Sequence, residues 1–235
     1  MVKQAIRDLL ILQAEDLRIR DLKTRLMSLP RERAALVAEF DVVRKGLEKA
    51  KQNKLKVEQA VKQQAAATKA AQEKLQALKI KSSSIKKINE YNAILAEIEA
   101  AKKNISDSET REIELMDEQE AAEKTLAKAE RSYKATGRTV QAEVRELDSL
   151  KDAITKEIAE KEKRSAELAK NVIPNYLEPY RRMLAAGKGS PVGTIRNGSC
   201  SNCNMKNSPQ TAMEARNGNL VNCDNCSFYL YDPEA

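Results

Sequence analysis

The fold is decided by residues 19–47, which read IRDLKTRLMSLPRERAALVAEFDVVRKGL. If Ile19 is taken as position a of a heptad, apolar residues recur at positions a and d from there to Leu78. The a and d positions are Ile19, Leu22, Leu26, Leu29, Arg33, Leu36, Phe40, Val43, Leu47, Ala50, Lys54, Val57, Val61, Gln64, Thr68, Ala71, Leu75 and Leu78. Fourteen of these eighteen residues are apolar. Such a long repeat is typical of a coiled coil.

The composition divides the chain into a long helical part and a small terminal module. Between Arg31 and Ile173 there is no proline, and the only glycines are Gly46 and Gly137. Charged residues make up 33% of the chain and aromatic residues only 3%, which leaves little material for a large globular core. A second seam runs through Val140, Val144, Leu147, Ile154, Ile158, Leu168 and Val172. The last sixty residues contain every cysteine and most of the glycines and prolines.

The serine run Ser82–Ser84 is the best helix breaker inside the long helical part, and serine also caps a following helix. A turn there would pair residue i with about residue 168 − i. Residues 104–123 carry eight acidic side chains and one arginine, and the residues paired with them, 45–64, carry six lysines and two glutamates. Opposite charges flanking a seam favour pairing. We therefore predict an antiparallel hairpin, and the alternative is a parallel dimer of single long helices.

Two helix-weakening residues fall at one level of this pairing. Pro30 lacks an N–H group, and its predicted neighbour lies close to Gly137, a poor helix former. We expect a kink there, and the sequence leaves open whether it acts as a hinge. It also leaves open whether the hairpin is a monomer or dimerises through surface exposed along its arms.

These observations predict three segments. Residues 1–173 form the coiled-coil hairpin, with its turn near residues 82–85 and its kink near residues 30 and 137. Residues 174–188 form a short amphipathic helix, interrupted or restarted by Pro179, and the start of a linker marked by Gly187 and, at the first residue of the next segment, Gly189. Residues 189–235 form the terminal module, which should lie at the base of the hairpin because the two arms have similar lengths.

The terminal module carries the strongest motif of the chain. Cys200, Cys203, Cys223 and Cys226 form a CxxC–x19–CxxC pattern, in which two tight turns can each offer two thiolates to one tetrahedral Zn²⁺. The β-prone segments 192–195 and 228–231, with a turn at 217–219, predict a zinc ribbon. Four cysteines without a histidine predict one structural zinc ion. A redox CxxC motif and disulfides are the alternatives.

Charge favours protein partners for this ribbon. From residue 196 onwards it carries three basic and four acidic side chains, so the +7 of the whole chain does not describe it. Unopposed basic charge lies instead at the hairpin turn, and the lysines there are Lys79, Lys81, Lys86 and Lys87. This turn either is a solvated end of the hairpin or contacts an acidic protein surface or RNA.

Several function classes have no support in the sequence. The chain has no histidine, no glycine-rich phosphate loop and no apolar run long enough for a membrane span or a signal peptide. We therefore expect a cytoplasmic, non-enzymatic protein with no membrane association and no small-molecule substrate.

Several stretches resemble a bacterial family of coiled-coil hairpins that end in a C4-type zinc ribbon. The stretches are INEYNAIL at 88–95 followed by Glu97-Ile98, YRRML at 180–184, CSNCNM at 200–205, SPQ at 208–210 and VNCDNC at 221–226. Family members are described as candidate nucleic-acid-binding zinc ribbon proteins. Some are linked to the sigma-54 transcription factor and to flagellar or type III export components. The resemblance implies the same fold and partners of these kinds.

One position departs from the family pattern, because Phe228 stands where the family has an arginine after its last cysteine. This change weakens a nucleic-acid role for the ribbon. Phe228 and Tyr229 either offer apolar contacts to a partner or pack the ribbon onto its neighbouring helix. The first functional hypothesis is an adaptor or chaperone-like protein that binds proteins. The alternatives are an RNA- or DNA-binding regulator that acts through the basic turn, and a spacer without a specific surface.

Overall fold

The computed structural model describes residues 2–187 and 189–235. Two long helices, α1 (Val2–Ser82) and α2 (Ile88–Ala169), pack against each other as a hairpin. A shorter helix, α3 (Pro174–Ala185), precedes the strands of the cysteine-bearing end. The predicted fold class, a mostly α antiparallel hairpin with a small C-terminal β module, is thus confirmed. Lys188, which belongs to the predicted linker, lies outside the described residues.

The chain divides into two compact units, and each contains a stretch of both long helices. The first unit comprises Met1–Arg33 with Arg145–Ala235, and the second comprises Ala34–Val144. In the first unit the seam forms one apolar cluster. Its buried members are Ile19, Leu22, Leu29, Ile154 and Ile158.

The predicted seams match the burial along the helices. Every a and d position assigned in α1 is buried or half-buried, with the exception of Arg33. All seven residues of the second seam are also buried or half-buried. Heptad spacing alone therefore identified the packed face of both helices, because 3.5-residue periodicity keeps one stripe of each helix against the other.

The pairing register of the second unit differs from the predicted one. The relation 168 − i places residue 114 opposite Lys54, whereas the Lys54 ammonium lies 3.8 Å from a carboxylate oxygen of Glu123. The Gln64 side chain also donates a hydrogen bond of 3.2 Å to the Ser108 carbonyl oxygen. The two pairs add to 172 and 177 instead of 168, so α1 is paired with later residues of α2 than predicted, and the turn at residues 83–87 accounts for only a small part of this displacement. The basic and acidic stretches still face each other.

Gly137 packs against an aromatic side chain of α1. A Cβ atom on Gly137 would lie 3.2 Å from the ring of Phe40, so this glycine makes room for that ring. Leu29, next to Pro30, packs in the apolar cluster of the first unit, against which Leu147 also lies. Helix α1 is continuous through Pro30. A kink near these residues stays a prediction.

The serine run ends α1. The hydroxyl groups of Ser82, Ser83 and Ser84 each donate a hydrogen bond to the carbonyl oxygen three residues earlier, at 2.8, 2.7 and 2.8 Å. The accepting carbonyl groups belong to the last turn of α1, and that of Lys81 also accepts a backbone hydrogen bond of 3.2 Å from the Ser84 N–H. The serines thus act on the preceding helix, whereas the sequence suggested that they cap the following one.

The cysteine module, residues 189–235, contains a four-stranded sheet and one helix. Its elements are β1 (Val192–Arg196), β2 (Ser199–Cys200), α4 (Pro209–Arg216), β3 (Val221–Asn222) and β4 (Tyr229–Tyr231). The strand order is β2-β1-β4-β3, with β1 and β4 parallel and the outer pairs antiparallel. The two predicted β segments form β1 and β4. The predicted turn at residues 217–219 follows α4, which was not predicted.

One apolar cluster of the first unit joins the sheet to the helices. Its buried members are Leu9, Leu12, Ala169, Val172, Tyr180, Val192 and Tyr229, which come from α1, the end of α2, α3, β1 and β4. The cysteine module therefore lies against the beginning of α1 and the end of α2. None of the helices among the described residues is long and apolar enough to cross a membrane.

Candidate functional site

The four cysteines come together in the cysteine module. Their sulfur atoms all lie within 4.8 Å of one another. Each close pair joins one CxxC motif to the other, with Cys200 3.8 Å from Cys226 and Cys203 3.7 Å from Cys223. These distances are far longer than a disulfide bond of about 2.05 Å. The cluster therefore forms a compact set of four sulfur ligands that could hold a metal ion.

The two CxxC turns have the same backbone structure. In the first, the Asn204 N–H donates to the Cys200 carbonyl at 2.9 Å, and the Cys200 N–H donates to the Met205 carbonyl at 3.0 Å. The second turn repeats both bonds 23 residues later, at 2.9 and 2.8 Å. Asn204 and Ser227, which follow the second cysteine of each turn, have φ angles of 59° and 61°. The left-handed backbone there turns the chain so that both sulfur atoms of a motif face the same point.

The second CxxC turn is tied to the start of α4. The carboxylate of Asp224 accepts hydrogen bonds from the Ser208 N–H at 2.7 Å and from the Thr211 hydroxyl at 3.0 Å. The Asp224 N–H donates to the side chain of Asn207 at 2.9 Å. The bond from the Ser208 backbone is the main reason that the pKa of Asp224 is lowered. This network ties the second motif to residues 207–211, which follow the first motif in the sequence.

The cysteine thiols differ in their acidity. Burial raises the pKa of Cys200, and it raises that of Cys226 to about 12. Burial acts in the same direction on Cys223, but hydrogen bonds from the backbone of Cys226 and Asn225 bring its pKa down to about 7. Near neutral pH the cluster would therefore not exist as four thiolates without a bound cation, since a metal displaces the remaining protons.

Gln13 of α1 attaches the cysteine module to the helices. This glutamine is buried, and its side chain accepts a hydrogen bond from the Val192 N–H at 2.6 Å and donates one to the Val192 carbonyl at 2.9 Å. Arg20 adds a bond of 2.8 Å to the Gly189 carbonyl. The sequence reasoning did not find Gln13. A polar residue directly after the apolar run Leu9–Leu12 was the available signal.

Tyr180 attaches α3 to the same end of the helices. Its side chain is fully buried, and its hydroxyl group donates a hydrogen bond to Asp16 at 2.7 Å. The Ser165 hydroxyl donates to the other oxygen of the same carboxylate at 2.5 Å. Burial, followed by the bond to Asp16, raises the pKa of Tyr180. The hydroxyl therefore stays protonated and keeps donating at any physiological pH.

An open groove of about 590 Å³ lies between α1, α2 and α3 in the first unit. Apolar side chains line much of it, and these include Leu12, Ile19, Ala169, Leu177 and Leu184. Basic side chains also line it, namely Arg20, Lys23 and Arg181. Met27, whose side chain is 73% exposed, lies along the same groove. Sequence reasoning did not predict this groove.

Phe228 and Tyr229, which were candidates for partner binding, are buried. They are only 8% and 5% exposed, so they cannot present an apolar surface to a partner. The ring of Tyr229 packs edge-on against Tyr176 of α3, with centroids 6.1 Å apart. The assignment of both residues to partner binding is therefore corrected. Their burial belongs to the packing of the module.

The four lysines of the predicted basic surface, Lys79, Lys81, Lys86 and Lys87, are exposed around the hairpin turn. The ammonium group of Lys87 lies 3.1 Å from the Glu90 carboxylate. Such an exposed ion pair contributes little to stability. A role for these lysines in partner binding stays a prediction.

No family model and no curated protein matches the chain. Three solved structures are similar over nearly the whole length. CT398 of Chlamydia trachomatis is 25% identical and has a TM-score of 0.81, with 97% of each chain covered. A protein from Mycobacterium smegmatis is 14% identical, with 98% of each chain covered and a TM-score of 0.73. HP0958 of Helicobacter pylori is 18% identical over 99% of this chain and 98% of its own, with a TM-score of 0.50.

Proposed function

We propose that the chain is a non-enzymatic adaptor, with one structural zinc ion in its cysteine module and a protein-binding surface on its helices. The observation that carries the proposal is the pairing of two features in one unit. A closed set of four sulfur ligands lies in the module, and an open groove with apolar side chains lies between the helices to which the module is attached. The first feature suits a structural metal, and the second suits a protein segment.

Zinc is the metal that the sulfur cluster fits. A tetrahedron with Zn–S bonds of about 2.3 Å places its sulfur atoms about 3.8 Å apart. The two close pairs lie 3.7 and 3.8 Å apart. Cys200, Cys203, Cys223 and Cys226 together complete the tetrahedron and leave no position for a substrate or water, so the ion would stabilise the module without catalysing a reaction.

Metal analysis of the purified chain tests this assignment. We expect one zinc ion per chain, and we expect Cys223→Ser to lose it. The matched control is Ser227→Ala, which changes a neighbouring hydroxyl group that is not a ligand. Tetrahedral sulfur sites also bind iron. Iron in place of zinc, or zinc retained by the Cys223 variant, would contradict the assignment.

The groove suits an amphipathic segment of a partner protein. Its apolar side chains would receive the apolar face of the segment, as in helix-in-groove recognition. Arg20, Lys23 and Arg181 exceed the two carboxylates along the groove, Asp16 and Glu162, by one charge, so a segment with acidic residues at its edge fits best. The groove is open, whereas a small-molecule site usually encloses most of its ligand.

The decisive experiment is a tagged pull-down from lysate of the source cells, divided into nuclease-treated and untreated halves. Mass spectrometry identifies the bound proteins, and staining detects nucleic acid. We expect a defined set of proteins that survives nuclease and is lost with Met27→Lys, which places a charge in the groove. The control Met213→Lys changes a methionine of similar exposure, 64%, on α4. Proteins released by nuclease would overturn the adaptor proposal.

The resemblance extends this proposal to a process. We propose that the partners belong to transcription or to flagellar or type III export, with the sigma-54 factor and export components as the first candidates. This step is supported only by the motifs shared with the coiled-coil zinc ribbon family. The proteins identified in the pull-down test this proposal directly. Recovery of proteins that belong only to other processes would contradict it.

The alternative function is RNA or DNA binding at the hairpin turn. It is favoured by the exposure of Lys79, Lys81, Lys86 and Lys87. Binding through these lysines would weaken steeply as salt rises, because phosphate contacts release counterions. Replacing all four with glutamate would abolish it. Binding of labelled RNA that persists in this variant would rule out the turn as the site.

A further inference from the structure

The groove and the contact between the module and the helices share one apolar core. Both belong to the first unit. Five residues line the groove and also belong to the cluster that joins the module to the helices or pack against it, namely Leu12, Ala169, Leu177, Tyr180 and Leu184. The module contributes Val192 and Tyr229 to the same cluster. A change in the attachment of the module therefore reaches the residues that form the groove.

Helix α3 takes part in both contacts. Its residues Leu177, Arg181 and Leu184 line the groove. The ring of its Tyr176 packs edge-on against Tyr229 of β4, with ring centroids 6.1 Å apart. The helix has only twelve residues, and a helix this short is rarely stable in water without tertiary contacts. The position of α3 therefore depends on packing against the module as well as against α1 and α2.

The cysteine cluster positions the two strands that carry Val192 and Tyr229. The second CxxC turn joins β3 to β4, and the Cys223 N–H donates a hydrogen bond of 2.8 Å to the carbonyl oxygen of the residue before Tyr229. The first CxxC turn begins at Cys200, which lies opposite Ile195 of β1. Val192 of β1 lies opposite Tyr229 of β4. Both strands are thus held by the turns whose sulfur atoms meet in the cluster.

We propose that zinc at the cysteine cluster controls the groove. With zinc bound, the folded module holds α3 against α1 and α2, and without zinc α3 is released and the groove loses one wall. This inference rests on the structural zinc and the groove of the proposed function, and it adds a dependence of one on the other. When the module unfolds, Val192 and Tyr229 leave the shared core, which then lacks two of its seven buried residues.

The dependence has to act in both directions. Two sites that stabilise the same arrangement of a chain raise each other's affinity by the same factor, which is typically about 5–150-fold. Zinc therefore raises the affinity of the groove for a protein segment, and a bound segment raises the affinity of the cysteine cluster for zinc. A partner in the groove would thus protect the metal although no cysteine lines the groove.

The contacts of α3 with the long helices compete with this release. They include the hydrogen bond from the Tyr180 hydroxyl group to Asp16, at 2.7 Å. A single hydrogen bond contributes little compared with the conformational entropy of twelve ordered residues. The apolar contacts of α3 pack in the core that loses Val192 and Tyr229. We therefore expect release of α3, and not a docked α3 beside an unfolded module.

Hydrogen exchange of the full chain tests the proposal with zinc alone as the probe. A chelator removes the zinc, exchange is followed by mass spectrometry, and zinc is then added back. Peptides from residues 174–185 should exchange at least roughly fivefold faster without zinc and should recover when zinc returns. Seam peptides that contain Leu22 and Ile154 should keep their exchange rate, because these residues belong to a separate cluster.

A substitution in the contact itself separates this coupling from a simple loss of stability. Tyr176→Ser keeps all four cysteines and should still bind one zinc ion. Its α3 peptides should exchange at nearly the same rate with and without zinc, because the module no longer holds the helix. A residue that merely stabilised α3 would shift both rates and leave their ratio unchanged. The matched control is Asn175→Ser, at an exposed neighbour on α3, which should keep the ratio of the original chain.

The outcomes separate this proposal from the proposed function. A chain that binds no zinc would overturn the metal assignment and this proposal together. A chain that binds one zinc ion but shows no change in α3 exchange on its removal would overturn this proposal alone. Faster exchange in the seam peptides as well would also overturn it, since zinc would then stabilise the whole unit. The same holds for an unchanged rate ratio in Tyr176→Ser, because the contact with Tyr229 would then not transmit the effect.

The pull-down extends the test to the groove. Proteins that are lost with Met27→Lys should also be lost when the tagged chain is stripped of zinc and kept in chelator. Proteins that stay bound to the zinc-free chain but are lost with Met27→Lys would overturn the proposal. If no protein depends on Met27, the adaptor function fails, and the exchange experiment still decides whether zinc holds α3.

Discussion

The helical seam of the first unit and the cysteine module of the same unit are stabilised in different ways. The seam repeats one kind of contact, in which apolar residues such as Leu22, Leu29 and Ile154 pack together turn after turn. The module has only a small buried cluster of its own, which includes Ile195, Ala215 and Leu230 together with Cys200 and Cys223. A segment of this size rarely folds on apolar burial alone. We expect the module to depend instead on the cysteine cluster, where the two CxxC turns meet.

Loss of a contact therefore has different consequences in the two regions. In the seam, neighbouring turns still hold the helices when one side chain is shortened. In the module, the cysteine cluster and the Asp224 network join the segments around both CxxC turns, so under the proposed function we expect loss of the metal to release the whole segment.

The largest effect is expected from metal removal. A strong chelator or the Cys223→Ser substitution should unfold residues 189–235 and leave α1 and α2 helical. Binding free energies of about 10–16 kcal/mol are typical of structural zinc in small domains, which exceeds what the module can supply without it. Far-ultraviolet circular dichroism follows the helices, and NMR amide signals follow the module. If the NMR amide signals of residues 189–235 stay dispersed after verified metal loss, the module does not depend on the metal and does not differ from the seam in this way.

The next largest effect is expected in the seam. Leu22 is only 6% exposed, so Leu22→Ala should lower the free energy of unfolding by about 2–5 kcal/mol. The matched change Leu55→Ala, at a leucine that is 56% exposed, should cost less than about 0.5 kcal/mol. Guanidinium unfolding measures both. Equal effects would show that burial in the seam is not what stabilises the helices.

A smaller effect is expected where the module joins the helices. Gln13→Ala leaves the N–H and carbonyl groups of Val192 without their side-chain partner, at a cost of about 1–3 kcal/mol. Hydrogen exchange at the Val192 amide should accelerate accordingly. The control Gln4→Ala removes an exposed glutamine that bonds to Asp8 of its own helix, and it should leave exchange at Val192 unchanged. An unchanged exchange rate at the Val192 amide would show that Gln13 does not attach the module to the helices.

The smallest effect concerns pH. The hydrogen bond from Lys161, followed by the charges of Lys161 and Arg164, lowers the pKa of Glu15 below its ordinary value of 4.5 against the opposing effect of burial. Because the folded pKa is the lower one, the contribution of Glu15 is present above pH 4.5 and is lost as the pH falls through the folded value.

The variant Glu15→Gln should therefore be less stable than the original chain at pH 7, by less than about 1 kcal/mol, and equally stable at pH 2. Urea unfolding at the two pH values measures the difference. Glu162→Gln, in an exposed pair with Lys23, is the control and should show a smaller change. A difference that persists at pH 2 would mean that packing and not charge is responsible.

The fold was predictable from the sequence because its signals are local and repeated. Heptad spacing identified the packed face of both helices, and Ser82–Ser84 marked the end of α1. The CxxC spacing predicted a ligand set, and the four sulfur atoms do lie together. The helix α4 was missed although Ser208 followed by Pro209 is a start signal, and Ser208 does accept a hydrogen bond from the Thr211 N–H.

Other features could not be predicted because they depend on long-range packing. Gln13 and Val192 lie 179 residues apart in sequence, and no local pattern links them. The sequence left open whether Phe228 packs within the module or contacts a partner, and only the folded chain shows that it is buried. The groove between α1, α2 and α3 exists because Tyr180 anchors α3 on Asp16.

By itself the sequence determined two long helices, the stripe on which each packs, and four cysteines spaced for one site. These features follow from periodicity and from residue chemistry within short windows, where many residues carry the same signal. Only the tertiary structure decided the register of the hairpin, with Lys54 near Glu123 and Gly137 under Phe40. Register depends on the sum of many weak contacts along the whole seam, so a few charge pairs read from the sequence could not fix it.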